Sequence, residues 1–194
     1  MIAGAGGINS WLIQLIHDLI IKEQIPQSWE FTIFDGDGVE KKNLLYQNFQ
    51  FEDQLENKAK TLAERYDMIH KSKFVKNTKD FDPYDIVICG VDNREFRAML
   101  FTYMNEHPDK QWIDLRSEGR VVAAFTKNVK NTLDVLMATL SSESKESSSS
   151  CQLDFELSSG IIQLGNRIIA NVGAQYLLNL VRSELNPPRF VYRF

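Results

Sequence analysis

The stretch Ile2-Ala3-Gly4-Ala5-Gly6-Gly7-Ile8-Asn9-Ser10-Trp11-Leu12 decides how the rest of the chain is read. A short apolar segment runs into three glycines within four residues. Straight after them apolar side chains recur at Ile8, Trp11, Leu12, Leu15, Ile16, Leu19 and Ile20. That spacing puts one apolar stripe along a helix. Strand, glycine turn and helix in this order let the backbone approach a phosphate, which the unpaired N–H groups and the dipole of the helix start attract. Taken alone, the loop leaves two readings open, a phosphate cradle or a plain turn, because Asn9 stands where a third glycine would complete GxGxxG. Only Met1-Ile2-Ala3 precede the loop, little for a strand expected at the centre of a sheet.

Working outward, Pro26 breaks the chain, and Phe31-Thr32-Ile33-Phe34 reads as a short strand ending at Asp35-Gly36-Asp37-Gly38. Ala59, Leu62, Ala63 and Tyr66 mark a second helix, and a weak strand is expected at Lys73 to Val75. Asp85 to Gly90 has the nearly continuous apolar character of a strand covered on both faces. Phe96, Met99, Leu100, Tyr103 and Met104 give a helix face stopped near Pro108, and two more strands are expected at Gln111 to Leu115 and Val121 to Phe125. Strands alternating with helices predict an α/β fold, Rossmann-like and doubly wound, with a mostly parallel sheet and flanking helices. The run Ser141 to Ser150 is too polar to pack and reads as a mobile loop, about 140–152, ending at Cys151. A helical pattern from Ile161 to Val181, broken near Gly165, closes the domain, and Phe190, Tyr192 and Phe194 alternate at strand period. At 194 residues the chain fits one domain.

Charge and cysteine content exclude several classes. Net charge is −4 and the 22 basic residues form no long run, which argues against broad binding to nucleic acid. No apolar run reaches the roughly 20 residues that cross a bilayer, and no signal peptide is visible, so a cytoplasmic protein is expected. Cys89 and Cys151 are the two cysteines, without a CxxC pair, and the three histidines are scattered, so neither a zinc site nor a disulfide framework is expected. Cys89, inside an apolar strand, reads as a buried small hydrophobe.

The order Gly4-Ala5-Gly6-Gly7-Ile8-Asn9-Ser10, Asp35-Gly36-Asp37-Gly38-Val39-Glu40-Lys41-Lys42-Asn43-Leu44-Leu45-Tyr46-Gln47, Asn57-Lys58-Ala59-Lys60 and Val91-Asp92-Asn93-Arg94 resembles the blocks of the ThiF/MoeB/HesA family, the adenylating fold of the ubiquitin-activating enzymes. Trp112-Ile113-Asp114 and the cysteine-bearing loop are similar to bacterial ThiF-like branches from PRTRC and ubiquitin-like conjugation gene clusters. The resemblance implies adenylation, with MgATP, of the C-terminal carboxylate of a ubiquitin-like or sulfur-carrier protein. It implies a homo- or heterodimer and a conjugating enzyme as further partner. Gly4, Gly6, Gly7, Asp35, Asp37, Asn43, Gln47 and Lys60 would hold the nucleotide, with Asp35 on the ribose and Lys60 on the triphosphate. Lys58 would then be a solvated helix position. Asp92 would bind Mg2+, with a helix N-cap as its alternative reading. Cys151 is the candidate thioester cysteine, against the alternative of a free surface thiol.

One departure stands out. Where the family has an arginine before glutamine, this sequence has Tyr46. Either another cation, Arg94, Arg97 or one from a second subunit, replaces it, or adenylation is weak or lost. Two alternatives therefore stay open: a non-catalytic nucleotide-binding or scaffold subunit, and a NAD-dependent oxidoreductase, which shares the glycine loop and Asp35 but leaves Lys60 and the Asp92 block unexplained.

Overall fold

Alternation of apolar residues along very short strands builds the sheet. In the computed structural model, which describes residues 1–118, 120–127 and 164–194, the strands are β1 (Ile2–Ala3), β2 (Thr32–Phe34), β3 (Ile69–Lys71), β4 (Ile86–Cys89), β5 (Gln111–Glu118), β6 (Val121–Thr126) and β7 (Arg189–Arg193). They form one sheet in the order β3-β2-β1-β4-β5-β6-β7. β1 to β5 run parallel, whereas β5, β6 and β7 pair antiparallel. β1 is two residues long yet lies between two partners, Ile2 opposite Ile33 and Ile88.

The helices are α1 (Asn9–Ile21), α2 (Lys58–Arg65), α3 (Arg94–Glu106) and α4 (Gly165–Val181). Successive strand residues point to opposite faces. Ile2, Ile33 and Ile88 therefore meet α1, α2 and α4 on one face, while Ala3, Phe34, Val87 and Cys89 meet α3 on the other. Helices on both faces explain why β1, β2 and β4 carry no polar alternation. Phe34, Phe81, Phe101, Ile13 and Leu62 are among the fully buried side chains, each contributing about 1.5–3 kcal/mol by leaving water. The expected doubly wound sheet is thus present.

One sequence expectation changes. The weak strand lies at Ile69–Lys71, not at Lys73 to Val75. It is an exposed edge strand, and a strand with one neighbour and no buried face leaves no period-2 signal to read. The aromatic tail forms β7, with Val191 and Tyr192 exposed. The Ser-rich segment and Cys151 lie outside the described residues.

Candidate functional site

After β1 the chain turns to one face of the sheet and enters α1, while after β4 it turns to the other face and enters α3. Between these diverging neighbours a crevice opens at the carboxyl ends of the strands, the place where such sheets bind ligands. Here it is a cleft of about 600 Å³, inside the range of small-molecule sites.

The loops that form it approach closer than side chains permit. Gly4 has φ +86°, and a Cβ there would lie 2.8 Å from Val91 Cγ1. A Cβ on Gly90 would meet the Asn9 side chain at 2.5 Å. Asn9 donates its amide to the carbonyls of Ala3 (2.8 Å) and Gly4 (2.9 Å). The residue that breaks the glycine pattern therefore fastens the loop. Gly6, by contrast, faces open space and lines the cleft. No side chain caps α1, and its first turn holds no acidic residue. The Ser10 and Trp11 N–H groups already donate to the Gly6 and Ile8 carbonyls, so what the helix start offers an anion is its dipole and the glycine loop in front of it.

Asp35, at the end of β2, ties the next wall to this loop. Its Oδ2 accepts from the Ala5 N–H at 2.7 Å and its Oδ1 from the Asp37 N–H at 2.8 Å. Burial pushes its carboxyl above the ordinary value, while these two N–H groups and Lys58 pull it back. Asn57 then joins α2 to the same loop. It caps α2 through Oδ1, which accepts from the Lys60 N–H, and donates its amide to the Asp35 and Asp37 carbonyls.

That docking separates the two lysines of α2, Lys58 and Lys60. Lys58 begins α2 with its N–H on the Asp37 carbonyl (2.9 Å), and its side chain, 9% exposed, reaches Asp37 at 3.7 Å and lines the cleft. Lys60 lies outside the cleft lining and pairs with Glu56 at 3.4 Å on the helix surface. Two residues along a helix are about 200° around its axis, so both cannot face one site.

Gly4, Gly6, Gly7, Asp35, Asp37, Asn43, Gln47 and Asp92 all line the cleft. Asn43 is buried and accepts from the Glu40 N–H through Oδ1 (2.9 Å). Gln47 is 7% exposed, and among the described residues its Oε1 has no hydrogen-bond partner, an orphaned group that a bound polar ligand would satisfy. Asp92 is exposed, and the N-cap of α3 is Asn93, whose Oδ1 accepts from the Phe96 N–H at 2.9 Å. The capping alternative for Asp92 therefore falls away. Among the described residues no three His, Cys, Asp or Glu side chains converge as a metal cage. A magnesium ion bridging phosphates needs only one or two carboxylates, and Asp92 fits that requirement.

The sequence reading missed Lys42, Phe74 and Val75, which also line the cleft. Phe74 packs on Gly36, where any Cβ would come 2.7 Å from the ring. The signal was there in Gly36, the glycine between the two aspartates. Cys89 is fully buried, the small hydrophobe its apolar strand suggested, and burial pushes its thiol up to about 12. Arg97 leaves the nucleotide question altogether. Its Nε holds Asp114 Oδ1 (3.2 Å) in the core, while Arg116 holds Oδ2 (2.7 Å).

No curated protein sequence matches the chain significantly. Solved structures do match in fold. E. coli MccB with AMPCPP and MccA aligns with a TM-score of 0.67 at 16% identity, covering 100% of this chain and 59% of that one. MccB with ATP gives 0.65 at 16% identity with the same coverages, and PaaA gives 0.66 at 14% identity, also covering 100% and 59%. The chain thus spans about three fifths of the length of these structures. The model of the ThiF family matches residues 1–194, the whole length of the sequence, and the chain belongs to that family.

Proposed function

We propose that the cleft binds MgATP and that the chain adenylates the C-terminal carboxylate of a small protein or peptide, of the ubiquitin-like or sulfur-carrier class. The observation that carries this reading is the conjunction of an uncapped α1 start with buried Lys58 and Asp35 around one cleft at the switch point of the sheet. MccB, the fold neighbour, has been solved with ATP and with AMPCPP and MccA, which supports both nucleotide and peptide as ligand classes.

MgATP would supply a phosphorus open to attack by the carboxylate and a pyrophosphate leaving group. The residues of this chain have defined tasks around it. The loop at Gly6, ahead of α1, receives phosphate oxygens without a Cβ in the way, and the α1 dipole attracts them. Lys58 offsets the charge that shifts onto pyrophosphate. Asp35, already fixed by two N–H bonds, presents its remaining lone pairs to ribose hydroxyls. Asp92 would hold magnesium. Phe74 and Val75 offer an apolar flank to a base. Since Cys89 is buried, Cys151 is the sulfur that could take the acyl group as a thioester, with AMP leaving.

The test is ATP–pyrophosphate exchange, stimulated by candidate carriers that end in a free carboxylate. Exchange that depends on carrier supports the reading. MgATP binding without exchange favours the second reading, a nucleotide-binding scaffold subunit, for which Tyr46 is the observation. Absence of MgATP binding by calorimetry rejects both. Cys151→Ser should leave exchange intact and remove any carrier thioester seen on non-reducing gels; a thioester that survives it refutes that step.

A further inference from the structure

We infer that Lys42 is the second phosphate-binding cation of this cleft, doing from the turn Lys41–Leu45 what the family arginine would do from position 46; this rests on the nucleotide reading above. The charges of the described lining favour a second cation. Asp35, Asp37, Glu40 and Asp92 face only Lys42 and Lys58 among the described lining residues. With the magnesium charge counted, MgATP still brings about two further negative charges, which one lysine already shared with Asp37 offsets only in part. Tyr46 lines the cleft but carries no charge, and its carbonyl is used by Trp11 Nε1 at 3.1 Å. Neither Arg94 nor Arg97 lines the cleft, and Arg97 is committed to Asp114.

The turn itself directs Lys42. Asn43 accepts the Glu40 N–H through its side chain, and the Asn43 N–H returns to the Glu40 carbonyl at 2.9 Å. These two bonds fix the segment that carries both charged residues. Lys42 Nζ rests 2.9 Å from Glu40 Oε2, with side chains 64% and 62% exposed. Such an exposed pair is worth little on its own, and an ammonium this exposed is open to an incoming phosphate. Lys42 also holds the Glu40 carboxyl below its usual range, keeping the pair ionised while the cleft is empty. The four-carbon stem gives the ammonium the reach that a fixed guanidinium would not need.

The experiment uses the full chain with MgATP by calorimetry and with adenosine by saturation-transfer NMR. Lys42→Ala should weaken MgATP about 10-fold or more, the size of one lost charged hydrogen bond, and leave adenosine binding unchanged. Lys42→Arg should keep the affinity, and adding Tyr46→Arg to Lys42→Ala should restore it. MgATP affinity unchanged by Lys42→Ala overturns the inference while the nucleotide reading stands. Equal losses for MgATP and adenosine also overturn it, since Lys42 would then only shape the turn. A wild-type chain that binds neither ligand overturns both.

Discussion

In one part of the cleft wall the polar groups are tied into the backbone: Asp35 is 6% exposed and Lys58 7% exposed. In the rest of the wall Lys42, Phe74 and Asp92 stand in solvent, Phe74 against Gly36 at the same end of β2. The first part is built by folding, and its geometry exists before any ligand arrives. The second consists of side chains whose positions a ligand can set. Pre-building costs folding free energy at Asp35, where a carboxylate is desolvated, and on the proposed reading the return is a ribose and phosphate site that needs no reorganisation.

Removing the pre-built wall should have the largest effect. Asp35→Ala orphans the Ala5 and Asp37 N–H groups and should lower stability by about 2–4 kcal/mol, read as a drop in urea midpoint, with MgATP binding lost. A variant as stable as wild type would show that the two walls do not differ in this way. Next, Lys58→Ala should weaken MgATP about 10- to 100-fold, whereas Lys60→Ala should change binding less than about 2-fold and stability by less than about 0.5 kcal/mol. The reverse ranking, by calorimetry, would return the phosphate role to Lys60.

That pair of lysines shows where sequence legibility ends. Asp35, Asn43, Gln47 and Asp92 could be read because each follows a strand or sits in an ordered block, and strand ends converge on one edge of the sheet. Which lysine of Asn57-Lys58-Ala59-Lys60 points inward depends on the rotation of α2, set by Asn57 bonding to the Asp35 and Asp37 carbonyls, a tertiary contact. Phe74 was misread for a related reason. Its β propensity suggested a strand, but Gly36 offers it a flat surface, and side-chain packing overrode local preference. The glycine loop and the alternation of elements were legible because they are local.

On the exposed wall, Phe74→Ala should leave stability within about 0.5 kcal/mol and weaken adenosine and MgATP alike, by about 5-fold if the ring stacks on a base. A loss confined to MgATP would place Phe74 near the phosphates instead. The smallest effect concerns pH. Because the folded state raises the Asp35 carboxyl above its ordinary value of 3.8, this group contributes stability that is fully present below that value and is lost as pH rises through the folded value. Stability of wild type relative to Asp35→Asn should therefore fall over the window just above pH 3.8, and parallel melting curves against pH would contradict the burial argument.

The two-residue strand β1 sets the order in which the protein can assemble. Its partners are Ile33 and Ile88, so the glycine loop gains its second support only after the chain closes a loop of more than eighty residues. Contacts of such sequence separation form late and slowly. During synthesis the cleft therefore stays incomplete until β4 has emerged and docked. Nucleotide, if present, would then bind the finished sheet rather than guide its early folding.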